Sequence, residues 1–374
     1  MGRPTIRDVA LEACVSLGTV SRVVNGHSAV KDELRKRVEA AIERLGYRPN
    51  AVAQSMRLGS TRTIGLLIRD FSSPAFVSFA NVAQDTLFAA GYTTLLASYD
   101  DRPEREIEVL HAFAQRRIDG LIVTSSSDTN EQVAKARAAL DVPTILFDRD
   151  SDRDKDVIAI DHASGMRDAV RYLIELGHQD IALLTGPVSV RPGRERVKGY
   201  KKAFSDAKLK IEPEFIQAGG FASEFAYSRI LELIRLSRRP TALIVGGVNM
   251  LSGALRAIRA SGLRIPQDIS LIGSTNPELC ELLSPTITEL RVDYPAIGRQ
   301  ASELLLGRLQ GSVLGPPRVL RFGTTLLERE SCAPPPVQRK RVRVTEILTG
   351  TPAGAAVTYQ EKKGRKTRID KASG

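Results

Sequence analysis

Residues 5–25 read TIRDVALEACVSLGTVSRVVN, and residues 37–57 read RVEAAIERLGYRPNAVAQSMR. In the first stretch Thr5 stands where an N-cap belongs, and Ile6, Val9, Ala10 and Ala13 fall on one helical face. Cys14-Val15-Ser16 breaks the pattern. Ser16 is placed to cap a second helix, in which Val20, Val23 and Val24 share a face. A third helix is expected over DELRKRVEAAIERLGY, with Leu34, Val38, Ala41, Ile42 and Leu45 inward. Gly46 stops it and Pro49 closes the module. Two helices joined by a tight turn, the second opening on Ser and Thr, suit a helix lying in a DNA major groove.

Moving outward from the head, the pattern changes at residue 63. TIGLLIRD, TTLLASYD, GLIVTSS, PTILFDR, VIAID, IALLTGP, TALIVGG and ISLIGS are short apolar runs of the kind that form buried parallel strands. Helical stretches such as REIEVLHAFAQRRID, GMRDAVRYLIELGH and MLSGALRAIRASGL lie between them. Repeated β-α units imply right-handed crossovers and parallel sheets, and there are too many for one sheet. The expected fold is a small all-α helix-turn-helix headpiece followed by an α/β core of two lobes. Ligands in such cores sit beyond the C-terminal ends of the strands.

Charge follows the same division. The chain of 374 residues carries +11 overall, with +4 in residues 1–60, +7 in 331–374, and a neutral body between. Basic ends on a neutral body point to polyanion contact at the termini. A merely solvated tail is the alternative for 331–374, which lacks apolar periodicity and reads as disordered. Aromatic residues make up 5 % with no Trp, which gives no hint of a stacking platform for single-stranded nucleic acid. No apolar run reaches membrane-spanning length, no secretory leader opens the chain, and Cys14, Cys280 and Cys332 are too few and scattered for a disulfide framework or zinc site. A reducing cytoplasm fits.

The two opening stretches resemble the lactose/galactose repressor family, most specifically TVSRVVN followed by LGYRPN at this spacing. The likeness runs from about residue 4 to 330, through LGHQDIALLTGP, RERVKGY and SGLRIPQDISLIG, and implies a core like that of periplasmic binding proteins. It implies a transcriptional repressor, a homodimer on a near-palindromic operator, whose positions 17, 18 and 22 face bases. Here these are Leu17, Gly18 and Arg22. Leu17 offers apolar contact, Gly18 has no side chain to offer, and Arg22 either grips a guanine edge or meets phosphate. Thr5, Ser16, Thr19, Ser21 and Asn25 fall at groove or phosphate positions. VAQSMR matches the family's hinge helix, which enters the minor groove; Asn50, Ala53, Gln54, Met56 and Arg57 belong to it. Met56 stands where the usual wedge is Leu, and an ordinary flexible linker is the alternative.

In the body the resemblance implies a small-molecule effector between the lobes. Arg194 is assigned the ligand-gripping role, or else a surface ion pair with Glu195. Phe76, Phe221 and Tyr294 fall at wall positions or are plain core, and Asp148 at a polar cleft position. Sugar-responsive members commonly carry acidic residues where this chain has Val248 and Thr275. A neutral sugar is therefore a poorer expectation than an anionic or more apolar ligand. The tail has no leucine heptad, so a dimer is expected rather than a tetramer.

The expected boundaries are 1–48 for the head, 49–60 for the hinge and 61–330 for the core, followed by the tail. Lobe 1 takes about 61–160 and 291–320; lobe 2 takes 161–290 and 321–330. No Gly-x-Ser-x-Gly elbow, P-loop, Gly-rich dinucleotide turn or metal spacing is present, and the four histidines are His27, His111, His162 and His178. No catalytic residue, metal or cofactor is expected. His178 is expected to orient a loop. The competing classes are a transporter's solute-binding component, which would need an export signal, and an enzyme on the same α/β fold.

Overall fold

The computed structural model describes residues 4–24, 30–48, 59–150, 155–274 and 276–336. The head has three helices, α1 (Ile6–Glu12), α2 (Leu17–Val24) and α3 (Asp32–Leu45). Thr5 caps α1 through a capping box: its hydroxyl accepts from Asp8 N–H, and the Asp8 carboxylate accepts from Thr5 N–H at 2.7 Å. Ser16 Oγ accepts from Thr19 N–H at 3.2 Å and so starts α2. Gly46, at φ +61°, ends α3 in the left-handed region, as glycine does at a helix C-terminus. Val9, Val20, Val38 and Ala41 meet in a core of their own. Arg37 of α3 donates to the carbonyls of Ala13 and Cys14, closing the turn between α1 and α2.

The core holds two six-stranded sheets. Lobe 1 contains β1 (Thr63–Ile68), α4 (Pro74–Ala89), β2 (Thr93–Ser98), α5 (Pro103–Gln115), β3 (Gly120–Val123), α6 (Glu131–Ala138), β4 (Thr144–Phe147) and β5 (Asp156–Ile160). Lobe 2 contains α7 (His162–Glu175), β6 (Ile181–Thr185), α8 (Arg191–Asp206), β7 (Ile216–Ala218), α9 (Ser223–Ile234), β8 (Ala242–Val245), α10 (Met250–Ala260), β9 (Ser270–Ser274), α11 (Pro277–Leu282) and β10 (Thr288–Arg291). The chain then returns for α12 (Tyr294–Leu309) and β11 (Val319–Phe322) in lobe 1, and ends on β12 (Thr325–Leu327) in lobe 2.

The sheet orders are β11-β5-β4-β3-β1-β2 and β12-β10-β9-β8-β6-β7, and only the β10–β12 pair is antiparallel. Strands β1, β3, β4, β5, β6, β8 and β9 are buried almost throughout, because helices cover both faces. Their apolar runs therefore do not alternate. The eight runs read from the sequence are all strands. β7, β10, β11 and β12 carry no such run and were not expected; they are short and mostly lie at or next to a sheet edge.

The chain passes between lobes after β5, after β10 and between β11 and β12. Asp161 N–H donates to Phe322 O at 2.8 Å, and Thr324 Oγ1 donates to Asp161 O at 3.2 Å, lacing two of these passages together. β11 runs to Phe322, past the boundary expected at 320. Residues 331–333, expected to open the tail, pack against lobe 2. Ser331 is fully buried, donating to Leu271 O and accepting from Thr288 N–H, and Ala333 bonds Ser270. Small polar residues that complete a sheet edge leave no periodic trace, so this segment reads as loop. Among the described residues no helix is long and apolar enough to cross a membrane.

Candidate functional site

On the head, α2 turns Val20 and Val23 inward and leaves Leu17, Gly18 and Arg22 exposed. Arg22 Nε donates to Gly18 O at 3.2 Å, one helical turn back. Its guanidinium lies along the outer face of α2, and a Cβ at 18 would meet Arg22 Nη2 at an ordinary contact distance of 3.7 Å. Ser16 and Thr19 hydroxyls lie 3.0 Å apart at the helix start, and Thr5 is exposed at the start of α1. Ser21 is half-buried on the same helix. Asn25 and the hinge residues Asn50, Ala53, Gln54, Met56 and Arg57 lie outside the described residues.

In the core, a cleft opens between the lobes at the C-terminal ends of β1, β3, β4 and β8. Its cavity of about 50 Å³ is lined by Phe76, Asp148, Phe221, Val248 and Tyr294, together with Arg69 and Arg196. The first five were singled out from the sequence, and the fold gathers them from positions far apart along the chain. Thr275 lies outside the described residues. Phe221 rests on Gly186, where a Cβ would fall 1.9 Å from its ring; only a glycine lets the ring lie so close to the backbone.

Arg194 does not face this cavity. Its guanidinium pairs with Asp150 and Asp128 of lobe 1 and donates to Val188 O, and its partner is not Glu195. Two residues along a helix turn the side chain about 200°. The buried face of α8 is Arg196, Gly199, Tyr200 and Ala203, so Arg196 is the arginine that enters the cleft. That i, i+3, i+4, i+7 spacing was the available signal. Burial lowers the pKa of Arg196 and neighbouring Arg69 adds to this, yet a guanidinium stays charged. Its Nη1 is buried without a hydrogen-bond partner. A desolvated, partnerless cation is costly and calls for an acceptor.

Arg69, a charge directly after the apolar run of β1, was also missed. Its Nε donates to Asp70 at 2.6 Å. Burial alone would raise Asp70; the Arg69 charge and bonds from Ser72 reverse that and hold the carboxyl below its usual range.

Asp148 is fully engaged. Its carboxylate meets His162 Nε2 at 2.7 Å and Arg191 Nη1 at 3.2 Å, and accepts from Ile160 N–H. Burial works against its charge, but His162, Arg149 and Arg191 hold it ionised, far below the usual range. An ionised carboxylate only accepts, so His162 Nε2 carries the proton. Burial, with Arg196 and Arg191 beside it, lowers the His162 pKa against the opposing pull of Asp148, and the ring is a neutral donor. Asn249 Nδ2 donates to Ser72 Oγ at 2.8 Å, a further tie between the lobes.

Nothing in the cleft resembles a nucleophile with its base, and among the described residues no group of His, Cys, Asp and Glu is placed to hold a metal. His178 lies in the loop after α7 and holds it to neighbouring segments: its Nε2 donates to Ala333 O at 2.8 Å and its Nδ1 meets Thr241 Oγ1 at 2.8 Å.

A helix-turn-helix head on a two-lobed clamshell with a polar-anchored aromatic cleft defines a ligand-responsive regulator. The comparisons agree. Residues 5–50 match the family model for bacterial regulatory proteins of the lacI family, and 170–332 match a periplasmic binding protein-like domain. The HTH-type transcriptional repressor PurR of Erwinia tasmaniensis is 35 % identical over 339 residues, 90 % of this chain and 99 % of its own. The PurR of Escherichia coli O1:K1 is 34 % identical over the same extent. Among solved structures, a Lac repressor dimer bound to operator and the anti-inducer ONPF superposes with a TM-score of 0.77 at 29 % identity, covering 89 % of this chain and all of that one. A complex of the regulator CelR with cellobiose gives 0.66 at 28 %, covering 88 % and 100 %. The chain belongs to the lacI family of bacterial regulatory proteins. It is a DNA-binding transcription regulator, and its close relatives are repressors rather than enzymes.

Proposed function

We propose that this protein is an operator-binding repressor, a cytoplasmic homodimer at the nucleoid, controlled by a small molecule with an anionic group held between the lobes. The head, 1–48, is assigned to the major groove, with Arg22 and Leu17 as base readers and Thr5, Ser16, Thr19, Ser21 and Asn25 on or near phosphate. The segment 49–60 is assigned to the minor groove, with Met56 as the wedge between base steps and Arg57 on phosphate. The core, 61–330, binds the effector and the second subunit.

The observation that carries the effector reading is the buried, unpartnered Arg196 Nη1 in the interlobe cleft. Val248 adds an apolar wall where a hydroxyl-gripping acid would suit a sugar. A ligand changes operator affinity only through unequal affinity for the DNA-competent and incompetent forms. The test is a gel shift on the DNA upstream of the protein's own gene, with and without acidic metabolites, paired with calorimetry across neutral sugars, sugar acids and ring acids. A specific shift altered by an acid is expected. Tight binding of an unmodified neutral sugar counts against an anionic effector; no preference among DNA sequences counts against the whole reading.

A further inference from the structure

Four aromatic rings surround the cleft. Phe76, Phe147 and Tyr294 of lobe 1 pack edge to face, with centroids 6.1–6.3 Å apart. Phe221 comes from lobe 2. The Arg69 guanidinium stands between the two walls, 5.5 Å from the Phe76 centroid and 4.8 Å from that of Phe221. Only its Nε has a hydrogen-bond partner among the described residues. Arg196 Nη1, buried nearby, has none.

The carboxylates that a polyhydroxylated ligand would use are already committed, although the Ser73 hydroxyl, also in the lining, is buried without a partner. Asp148 is spent on His162, Arg191 and Ile160 N–H, and Asp70 on Arg69, Ser72 and Ser73. What the cleft offers is two guanidinium forks, one small hydroxyl and flat aromatic faces. A carboxylate matches a guanidinium fork oxygen for N–H. A planar ring matches the aromatic faces, the arrangement the planar Arg69 fork already adopts against them. With about 50 Å³ of space, a ring enters only by moving Arg69 or parting the lobes.

We propose that the effector is a planar ring carboxylate, its carboxylate held by Arg196 and Arg69 and its ring between Phe76 and Phe221. Arg69 is the residue that selects it. This rests on the reading of an anionic effector in the cleft and narrows it to one chemical class.

The test is calorimetric titration of the full chain with benzoate and 4-hydroxybenzoate, beside their primary amides, cyclohexanecarboxylate, glucuronate and glucose. The ring acids are expected to bind about tenfold or more tightly than the amides, and more tightly than the puckered cyclohexanecarboxylate. Arg69→Met, which keeps length without charge, is expected to lose about tenfold for the acids and to leave the amides within about twofold. Melting temperature checks that the variant is folded. If it is not, Arg69→Lys decides, since a point charge without the fork is expected to weaken the acids alone. Several outcomes overturn the proposal: equal binding of acid and amide, equal binding of benzoate and cyclohexanecarboxylate, no effect at Arg69, or no binding of either ring acid at millimolar concentration. Glucuronate binding above benzoate overturns the ring and leaves the anionic cleft standing; glucose binding above every acid overturns both.

Discussion

Ser60 donates its hydroxyl to the carboxylate of Asp119 at 2.6 Å, and the same carboxylate accepts from Thr61 N–H at 2.9 Å. Asp119 stands just before β3, so Ser60 and Thr61 are pinned to the rim of the lobe 1 sheet. The hinge proposed for 49–60, to report lobe movement, needs a rigid attachment there. Asp119→Ala is expected to cost about 1–2 kcal/mol in stability, as charged hydrogen bonds at a half-exposed site do. It is also expected to shrink the effect of ligand on operator affinity while ligand affinity itself stays within about twofold. Titrations of DNA with and without ligand check this.

Arg22, exposed on the outer face of α2, is proposed as a base contact, with a phosphate contact as the alternative. Arg22→Ala is expected to cost about 1–3 kcal/mol on the operator and relax preference at one base position per half-site. Competition binding against random DNA separates the alternatives: an equal loss on both would make Arg22 a phosphate contact.

Arg194 and Arg196 give opposite expectations. Arg196→Met is expected to abolish measurable effector binding, since Nη1 is the unpartnered donor in the cleft. Arg194→Ala removes an interlobe ion pair with Asp150 and Asp128, at a position more than a third exposed, and is expected to change effector affinity by less than about threefold. Calorimetry on the two variants reads the difference directly.

Acid is expected to destabilise the fold first through its histidines. Burial lowers the pKa of both His162 and His178 below the ordinary value of 6.5. Between the folded and unfolded values the unfolded chain binds more protons, so stability rises with pH there. The contribution is complete above 6.5 and is lost as pH falls through each lowered value; Asp148 adds a loss of the same sign below 3.8. Melting temperature is therefore expected to fall between pH 7.5 and 5.5, and His162→Gln, which still donates to Asp148, to fall less steeply.

Asp156 is buried and takes two bonds from Arg308, Nε–Oδ2 at 2.8 Å and Nη2–Oδ1 at 2.9 Å. It also accepts from Arg318 N–H, so the pair ties the end of α12 to β5 and the start of β11. Arg308→Met leaves that carboxylate buried and short of a counter-charge. A loss of about 3–5 kcal/mol is expected, read from urea unfolding.

Thr5, Ser16 and Gly46 mark helix ends through contacts within a few positions, so the head reads straight off the chain. Phe76, Phe221, Val248, Tyr294 and Asp148 were found through family pattern, and all line the cleft. The family resemblance pointed to Arg194, whereas the helical phase of α8 puts Arg196 on the buried face. Arg69 was passed over because its neighbours Phe76 and Phe221 belong to different lobes.

Local chain chemistry was enough to determine the helix caps, the apolar strands and the division into head and core, while the kind of regulator came through the family resemblance. Those features depend on sterics and burial periodicity among residues close in sequence. Which guanidinium faces the cleft, which carboxylates are already spoken for, and how residues 331–333 pack were decided only when the two sheets were set across their three connecting passages. A cleft is a property of distance in space, and positions 69, 148, 196 and 221 acquire theirs from the fold as a whole.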